Sequence, residues 1–131
     1  MSIEFDTVEQ AIEQFRQGGL VIVADDEDRE AEGDLVVPAD GVTAHQVNVM
    51  LREGRGLLCL ALEAEIADGL GLEPMVRQGT APQREAHFLV SVDAHPRHGT
   101  TTGVSADERA TTMRVTADPK AGPSDLVSPG H

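Results

Sequence analysis

The sequence predicts one layered domain of the α/β or α+β class, and three observations lead to this prediction. Segments with helical periodicity alternate with short apolar runs rich in β-branched residues, which is the pattern of a sheet covered by helices. The chain has 131 residues, a usual size for one domain. Its hydrophobic fraction of 40% is enough to form a buried core, although the three phenylalanines are its only aromatic residues.

The first third of the chain predicts one helix followed by two strands. Asp6 is a candidate N-cap with Glu9 three residues later, as in a capping box, and the glycines at 18–19 end the helix. The apolar run at 20–24 predicts a strand that is buried on both faces. Residues 35–37 predict a second strand that stops at the following proline.

The middle of the chain predicts a second helix and a buried strand. Thr43 and Gln46 form a second capping box, and Gly54 ends that helix. Residues 57–62, LLCLAL, are almost wholly apolar and predict a strand in which Cys59 is a buried, inert thiol.

The last part of the chain predicts a short helix at 63–70, a loop at 73–85 and a strand at 88–92 in which apolar residues alternate. Ser105 and Glu108 form a third capping box, which begins the final helix.

Charge and composition exclude several classes of function. Ten basic and twenty-three acidic residues give a formal charge of −13, which repels nucleic acid, and 2% aromatic residues leave no base-stacking platform. No apolar run reaches the ~20 residues that cross a bilayer. The acidic N-terminus is unlike a signal peptide, and a single cysteine forms no internal disulfide. We expect a cytoplasmic protein that binds neither nucleic acid nor membranes.

Residues 25–34, DDEDREAEGD, place seven carboxylates and one guanidinium between two predicted strands. One interpretation is a solvated turn, since most charge runs are inert. The other is a divalent metal site, because crowded like charges are destabilising unless a cation offsets them. Oxygen ligands favour Mg²⁺ or Mn²⁺ over zinc, and the fork of Arg29 suits a phosphate or hydroxyl oxygen. The residues alone leave both interpretations open.

Six segments match one known family in order and spacing. Residues 21–35, VIVADDEDREAEGDL, carry the strongest match, and the others are at 54–59, 70–76, 91–94, 102–112 and 129–131. In these segments the chain resembles the 3,4-dihydroxy-2-butanone-4-phosphate synthase family of riboflavin biosynthesis. The resemblance implies an α+β fold with three α/β/α layers, a mixed central sheet and a single domain over 1–131.

The resemblance also implies an activity and a set of site residues. The family is a homodimeric, divalent-metal-dependent lyase that converts D-ribulose 5-phosphate to 3,4-dihydroxy-2-butanone 4-phosphate and formate, with Mg²⁺ or Mn²⁺ as cofactor. Glu30 matches the residue that binds both the metal and the substrate, and Arg29 and Asp34 match substrate-binding residues. His131 matches a histidine that the family needs for catalysis. Glu32 and Cys59 align with positions near the active site, and of these two Glu32 is the candidate catalytic residue.

The chain departs from the family pattern in three places. Ala31 replaces the usual asparagine, and the loop at 77–84 is unlike that of the family. In the family, Pro-Gly-His is followed by a Gly-His-Thr-Glu-Ala motif, whose histidine is the second metal ligand, and by a further glutamate. We therefore expect a chain truncated after Pro-Gly-His: a fragment, an incompletely represented chain or a degenerate paralogue. The alternative function is a non-catalytic relative that keeps the fold for binding or assembly.

Overall fold

The structure is a computed structural model that describes residues 5–25, 32–75 and 87–131. The described part contains both helices and short strands, in agreement with the predicted α+β class. The helices are α1 (Val8–Arg16), α2 (Ala44–Val49), α3 (Ala64–Gly69) and α4 (Ala106–Ala117). The strands are β1 (Val21–Ala24), β2 (Gly33–Val36), β3 (Asp93–Ala94) and β4 (Leu126–Val127). No helix in the described ranges is long and apolar enough to span a membrane.

The described strands form two antiparallel pairs. β1 pairs with β2 in a hairpin that places Val23 opposite Asp34, and β3 pairs with β4 so that Ala94 lies opposite Leu126. The positions of β1 and β2 agree with the prediction, but the predicted burial of β1 on both faces was wrong, since Ile22 is 72% exposed. Each strand of this hairpin has one partner in the described part, so much of its apolar surface remains uncovered.

The helix ends follow local hydrogen bonding closely. α1 begins one residue later than predicted, because the hydroxyl of Thr7, rather than Asp6, accepts the backbone N–H of Gln10 at 3.3 Å. The Thr43 and Gln46 box of α2 forms as predicted. A π-helical turn, Met50–Gly54, continues α2 as far as the predicted terminator. The predicted short helix at 63–70 is α3.

Two predicted strands do not form as expected. Residues 57–62 do not form a strand, and Leu57 is 79% exposed. Leu58 and Leu60 pack against the core while Leu57 and Cys59 are exposed, so every second residue of this segment contacts the protein interior. The segment at 88–92 contributes one isolated bridge, between Pro74 and Leu89, and regular pairing begins only at β3.

The core lies between α2 and α4. Its buried residues are Val42, Val47, Ala110 and Met113, with Val37, Ala39, Leu51, Leu58, Leu60 and Ala106 packed around them. Arg114 of α4 reinforces this contact, because its guanidinium donates to the carbonyl oxygen of Val42 at 2.7 Å. The side of α4 that carries Ala106, Ala110 and Met113 therefore faces the core.

The first turn of α4 is held by Glu108. Its carboxylate accepts the hydroxyl of Thr101 at 2.7 Å, the backbone N–H of the same residue and the hydroxyl of Ser105. These hydrogen bonds, the Thr101 hydroxyl first among them, lower the pKa of Glu108 from 4.5 to about 2. The turn at 100–103 is thereby tied to the start of α4.

We expect Glu108 to contribute to the acid stability of the fold. Its folded-state pKa lies below the ordinary value, so its stabilising effect is complete above pH 4.5 and is lost as the pH falls toward about 2. The melting temperature of the wild type should therefore exceed that of Glu108→Gln near neutrality, with the difference shrinking over this range. Glu9→Gln, which changes an exposed carboxylate in the first turn of α1, is the control. A constant difference down to pH 2 contradicts this account.

Val47→Ala tests the core directly. Val47 is fully buried, so removing its two methyl groups should lower the free energy of unfolding by about 2 kcal/mol. Val8→Ala makes the same chemical change on the exposed face of α1 and should alter it by less than about 0.5 kcal/mol. Urea unfolding measures both values, and equal effects of the two variants would show that the α2–α4 contact is not the core.

Candidate active site

The pairing of β3 with β4 brings the last residues of the chain beside residues 91–93. Beyond β4, the Ser128 hydroxyl donates to the carbonyl of Ser91 at 3.0 Å, and the Gly130 N–H donates to the Ser91 hydroxyl at 3.2 Å. Two serines therefore continue the alignment after the regular ladder has ended. His131 is placed against Asp93 by these contacts.

Asp93 holds His131 through both of its carboxylate oxygens. Oδ1 accepts the backbone N–H of His131 at 3.0 Å, and Oδ2 lies 2.9 Å from Nδ1 of the imidazole ring. An ionised carboxylate only accepts hydrogen bonds, so with Asp93 ionised Nδ1 is the donor of this contact, and in a neutral imidazole Nε2 is then the acceptor. The Asp93 side chain is 10% exposed and that of His131 is 41% exposed. The pair is therefore a buried carboxylate that orients an accessible base.

Two glycines allow this close arrangement. Gly103 is buried with a φ of +80°, and a Cβ at this position would collide with the carboxylate of Asp93. A Cβ on Gly130 would likewise collide with the backbone at the junction of Val92 and Asp93. Backbone that only glycine can supply thus lies against the Asp93 carboxylate at Gly103 and against the Val92–Asp93 peptide at Gly130.

The β1–β2 hairpin carries the acidic residues of the predicted metal and substrate site. At its end, the N–H of Glu32 donates to Oδ1 of Asp25 at 2.9 Å, and the N–H of Asp25 donates to the carbonyl of Glu32 at 3.2 Å. Asp34 lies on β2 as an exposed residue opposite Val23. Arg29 and Glu30 lie outside the described residues, so their predicted roles stay predictions.

The structure therefore brings the predicted residues into two groups. Glu32 and Asp34 belong to the hairpin, whereas His131 belongs to the β3–β4 unit. In the described ranges no cluster of three His, Cys, Asp or Glu side chains is arranged to hold a metal. The side chains on the hairpin that could bind a metal are nevertheless all carboxylates, which are the ligands that Mg²⁺ and Mn²⁺ prefer.

Sequence reasoning missed the role of Asp93 and misjudged Cys59. Asp93 lies in a matched segment, but the resemblance assigned no role to it. The available signal was a lone carboxylate in the apolar stretch FLVSVDA, since buried carboxylates are rare unless they are paired. Cys59 is exposed rather than buried, because it lies on the side of the segment opposite Leu58 and Leu60, which pack against the core.

Comparison with known proteins identifies the family. The sequence profile of the 3,4-dihydroxy-2-butanone 4-phosphate synthase family matches residues 9–131. Riboflavin biosynthesis protein RibBA of Aquifex aeolicus (strain VF5) is 54% identical over 128 residues, which are 98% of this chain and 31% of that protein. The 3,4-dihydroxy-2-butanone 4-phosphate synthase of Pasteurella multocida (strain Pm70) is 47% identical over 121 residues, which are 92% of this chain and 55% of that protein.

A solved structure agrees with these relatives. A crystal structure of 3,4-dihydroxy-2-butanone 4-phosphate synthase in complex with two magnesium ions superposes with a TM-score of 0.90 and 43% identity, covering 97% of this chain and 58% of that one. This chain thus spans from 31% to 58% of the length of these three proteins. The chain belongs to the 3,4-dihydroxy-2-butanone 4-phosphate synthase family.

Proposed function

We propose that the native protein carrying this sequence converts D-ribulose 5-phosphate to 3,4-dihydroxy-2-butanone 4-phosphate and formate. The single observation that carries this proposal is the pairing of His131 with the buried Asp93 in a chain of this family. The reaction rearranges a sugar skeleton through repeated proton transfers next to carbonyl and hydroxyl groups. Such a reaction needs a base that is oriented before the substrate binds.

His131 is the proposed acid–base residue. Asp93 fixes the proton on Nδ1. Nε2 is therefore the atom that accepts a proton from a C–H or O–H group of the sugar. The negative charge of Asp93 then stabilises the imidazolium until the proton is returned. Because the His131 side chain is exposed and that of Asp93 is almost inaccessible, the histidine is the member of the pair that reaches the substrate.

The hairpin supplies the other proposed groups. Glu30 holds the divalent cation and contacts the sugar phosphate, Arg29 and Asp34 bind the substrate, and Glu32 moves protons together with His131. When bound, the cation supplies positive charge that stabilises the enediolate-like charge of the substrate. The hydrogen bonds between Asp25 and Glu32 join the two residues that flank positions 26–31, to which Arg29 and Glu30 belong.

The proposal extends to the complete fold, the subunit number and the location of the protein in the cell. We propose that the complete fold has three α/β/α layers with a mixed central sheet and that residues 1–131 belong to one domain. We also propose a cytoplasmic homodimer that binds neither nucleic acid nor membranes. The exposed apolar side chains of Ile22 and Leu57 support the presence of further covering structure, from the rest of the domain or from a second subunit.

Formate release tests the function. The native protein should release formate from D-ribulose 5-phosphate in the presence of Mg²⁺, lose this activity when a chelator removes the cation, and regain it when Mg²⁺ is restored. Formate is quantified by a coupled dehydrogenase assay, with D-ribose 5-phosphate as the substrate control. Substrate binding without formate release would contradict the proposal and support the non-catalytic alternative.

Asp93→Asn tests the proposed base. Asparagine presents an N–H as well as an acceptor, so it no longer fixes the proton of His131 on Nδ1. We expect kcat to fall by about 10²-fold or more, with KM changed much less, and His131→Gln to cause a similar loss.

Asp125→Asn is the matched control for this experiment. Asp125 is also paired with a histidine, since its Oδ1 lies 2.9 Å from Nε2 of His98, but this pair is not part of the proposed site. This variant should retain the wild-type kcat. Equal losses in Asp93→Asn and Asp125→Asn would mean that removing any paired carboxylate damages the fold, and would contradict the proposed role of Asp93.

A further inference from the structure

We propose that Thr100 and Thr112 are positioning residues that hold the Asp93–His131 pair in its working geometry, an inference that rests on the proposed function. Neither hydroxyl contacts His131. Both act on Ala94, the residue that follows Asp93 in β3. The buried threonines therefore set the position of the strand that carries the carboxylate.

Both backbone groups of Ala94 are satisfied by these two side chains. The N–H of Ala94 donates to Oγ1 of Thr112 at 2.8 Å, and its carbonyl accepts the hydroxyl of Thr100 at 2.6 Å. Thr112 Oγ1 donates in turn to the carbonyl of Glu108 at 3.1 Å, so its hydroxyl acts as both donor and acceptor. Ala94 is 1% exposed, and both threonines are buried.

The two hydroxyls take the place of a neighbouring strand. Successive residues of a strand direct their backbone groups to opposite edges of the sheet. β4 occupies one edge of β3, where the N–H of His95 donates to the carbonyl of Asp125 at 2.8 Å. On the other edge, Thr112 from α4 and Thr100 from the preceding turn supply the hydrogen bonds. β3 is thus fixed against α4 by Thr112 and against the turn at 100–103 by Thr100.

The position of β3 relative to the turn at 100–103 has little freedom. A Cβ on Gly103 would overlap the carboxylate of Asp93, so the turn backbone lies directly against it. A shift of Ala94 away from Thr112 would move Asp93 against this backbone or away from His131. The 2.9 Å contact between Oδ2 and Nδ1 therefore depends on the hydrogen bonds of Ala94.

Thr112→Val removes the acceptor but keeps the shape of the side chain. The buried N–H of Ala94 then has no partner in its present position, and β3 has to move for it to find one. We expect the protected Nδ1–H proton signal of His131 to be lost from the NMR spectrum of ¹⁵N-histidine-labelled protein. We also expect kcat to fall by about tenfold or more with little change in KM. Thr112→Ser keeps the hydroxyl and should restore both signal and kcat.

Thr116→Val is the matched control. Thr116 is buried on the same helix one turn later, and its hydroxyl donates to the carbonyl of Thr112 at 2.8 Å rather than bonding to Ala94. The same substitution there should leave the Nδ1–H signal and kcat unchanged, even if the melting temperature falls. If Thr112→Val does not fold, Thr100→Val makes the same test, because it removes the hydrogen bond to the carbonyl of Ala94. Thr100→Ser, which keeps the hydroxyl, is then the rescue variant.

Two results would overturn the inference. One is a Thr112→Val protein with a lower melting temperature but an unchanged Nδ1–H signal and kcat, which would show a purely structural role. The other is loss of the signal in Thr116→Val as well. Failure of the proposed function is distinguishable from both, because the native protein would then release no formate while the NMR signal would still respond to Thr112→Val and not to Thr116→Val.

Discussion

The antiparallel pairing of β3 with β4 is the interaction on which the candidate site depends. It lets a terminal segment with little core of its own place His131 against Asp93, and two serines extend the alignment beyond the strands. The other edge of β3 is fixed to α4 by side-chain hydrogen bonds, and α4 packs on α2 through the core. The geometry of one imidazole therefore rests on the main helix contact of the described structure.

Much of the fold was predictable because its signals are local. The capping signals at Thr43 and Ser105 marked the starts of α2 and α4 correctly, since a cap is a hydrogen bond between residues three apart. The full box forms at Thr43, whereas at Ser105 the hydroxyl accepts the N–H of Glu108 and the Glu108 carboxylate binds the hydroxyls of Ser105 and Thr101. The strand predictions were less successful. The apolar segment around Leu57 fits a buried strand, but strand formation also requires a partner whose identity no local pattern contains.

The candidate site was predictable only in part for the same reason. The acidic stretch and Pro-Gly-His are contiguous motifs, so the resemblance could name His131, Glu32 and Asp34 as candidates without knowledge of the fold, and their roles stay predictions. The partner of His131 is 38 residues away in sequence, and only the β3–β4 pairing brings the two together. The contribution of Thr112 is less visible still, because it acts through the backbone of a residue that has no functional side chain.

The central claim is that Asp93 and His131 act as one catalytic unit, and a double-mutant cycle tests it most directly. Formate release by the native protein is compared with that of Asp93→Asn, His131→Gln and the double variant at saturating substrate and Mg²⁺. If the carboxylate acts only through the imidazole, the double variant should be no slower than His131→Gln by more than about threefold. Losses that multiply in the double variant would show that the two residues act independently, and would contradict the account.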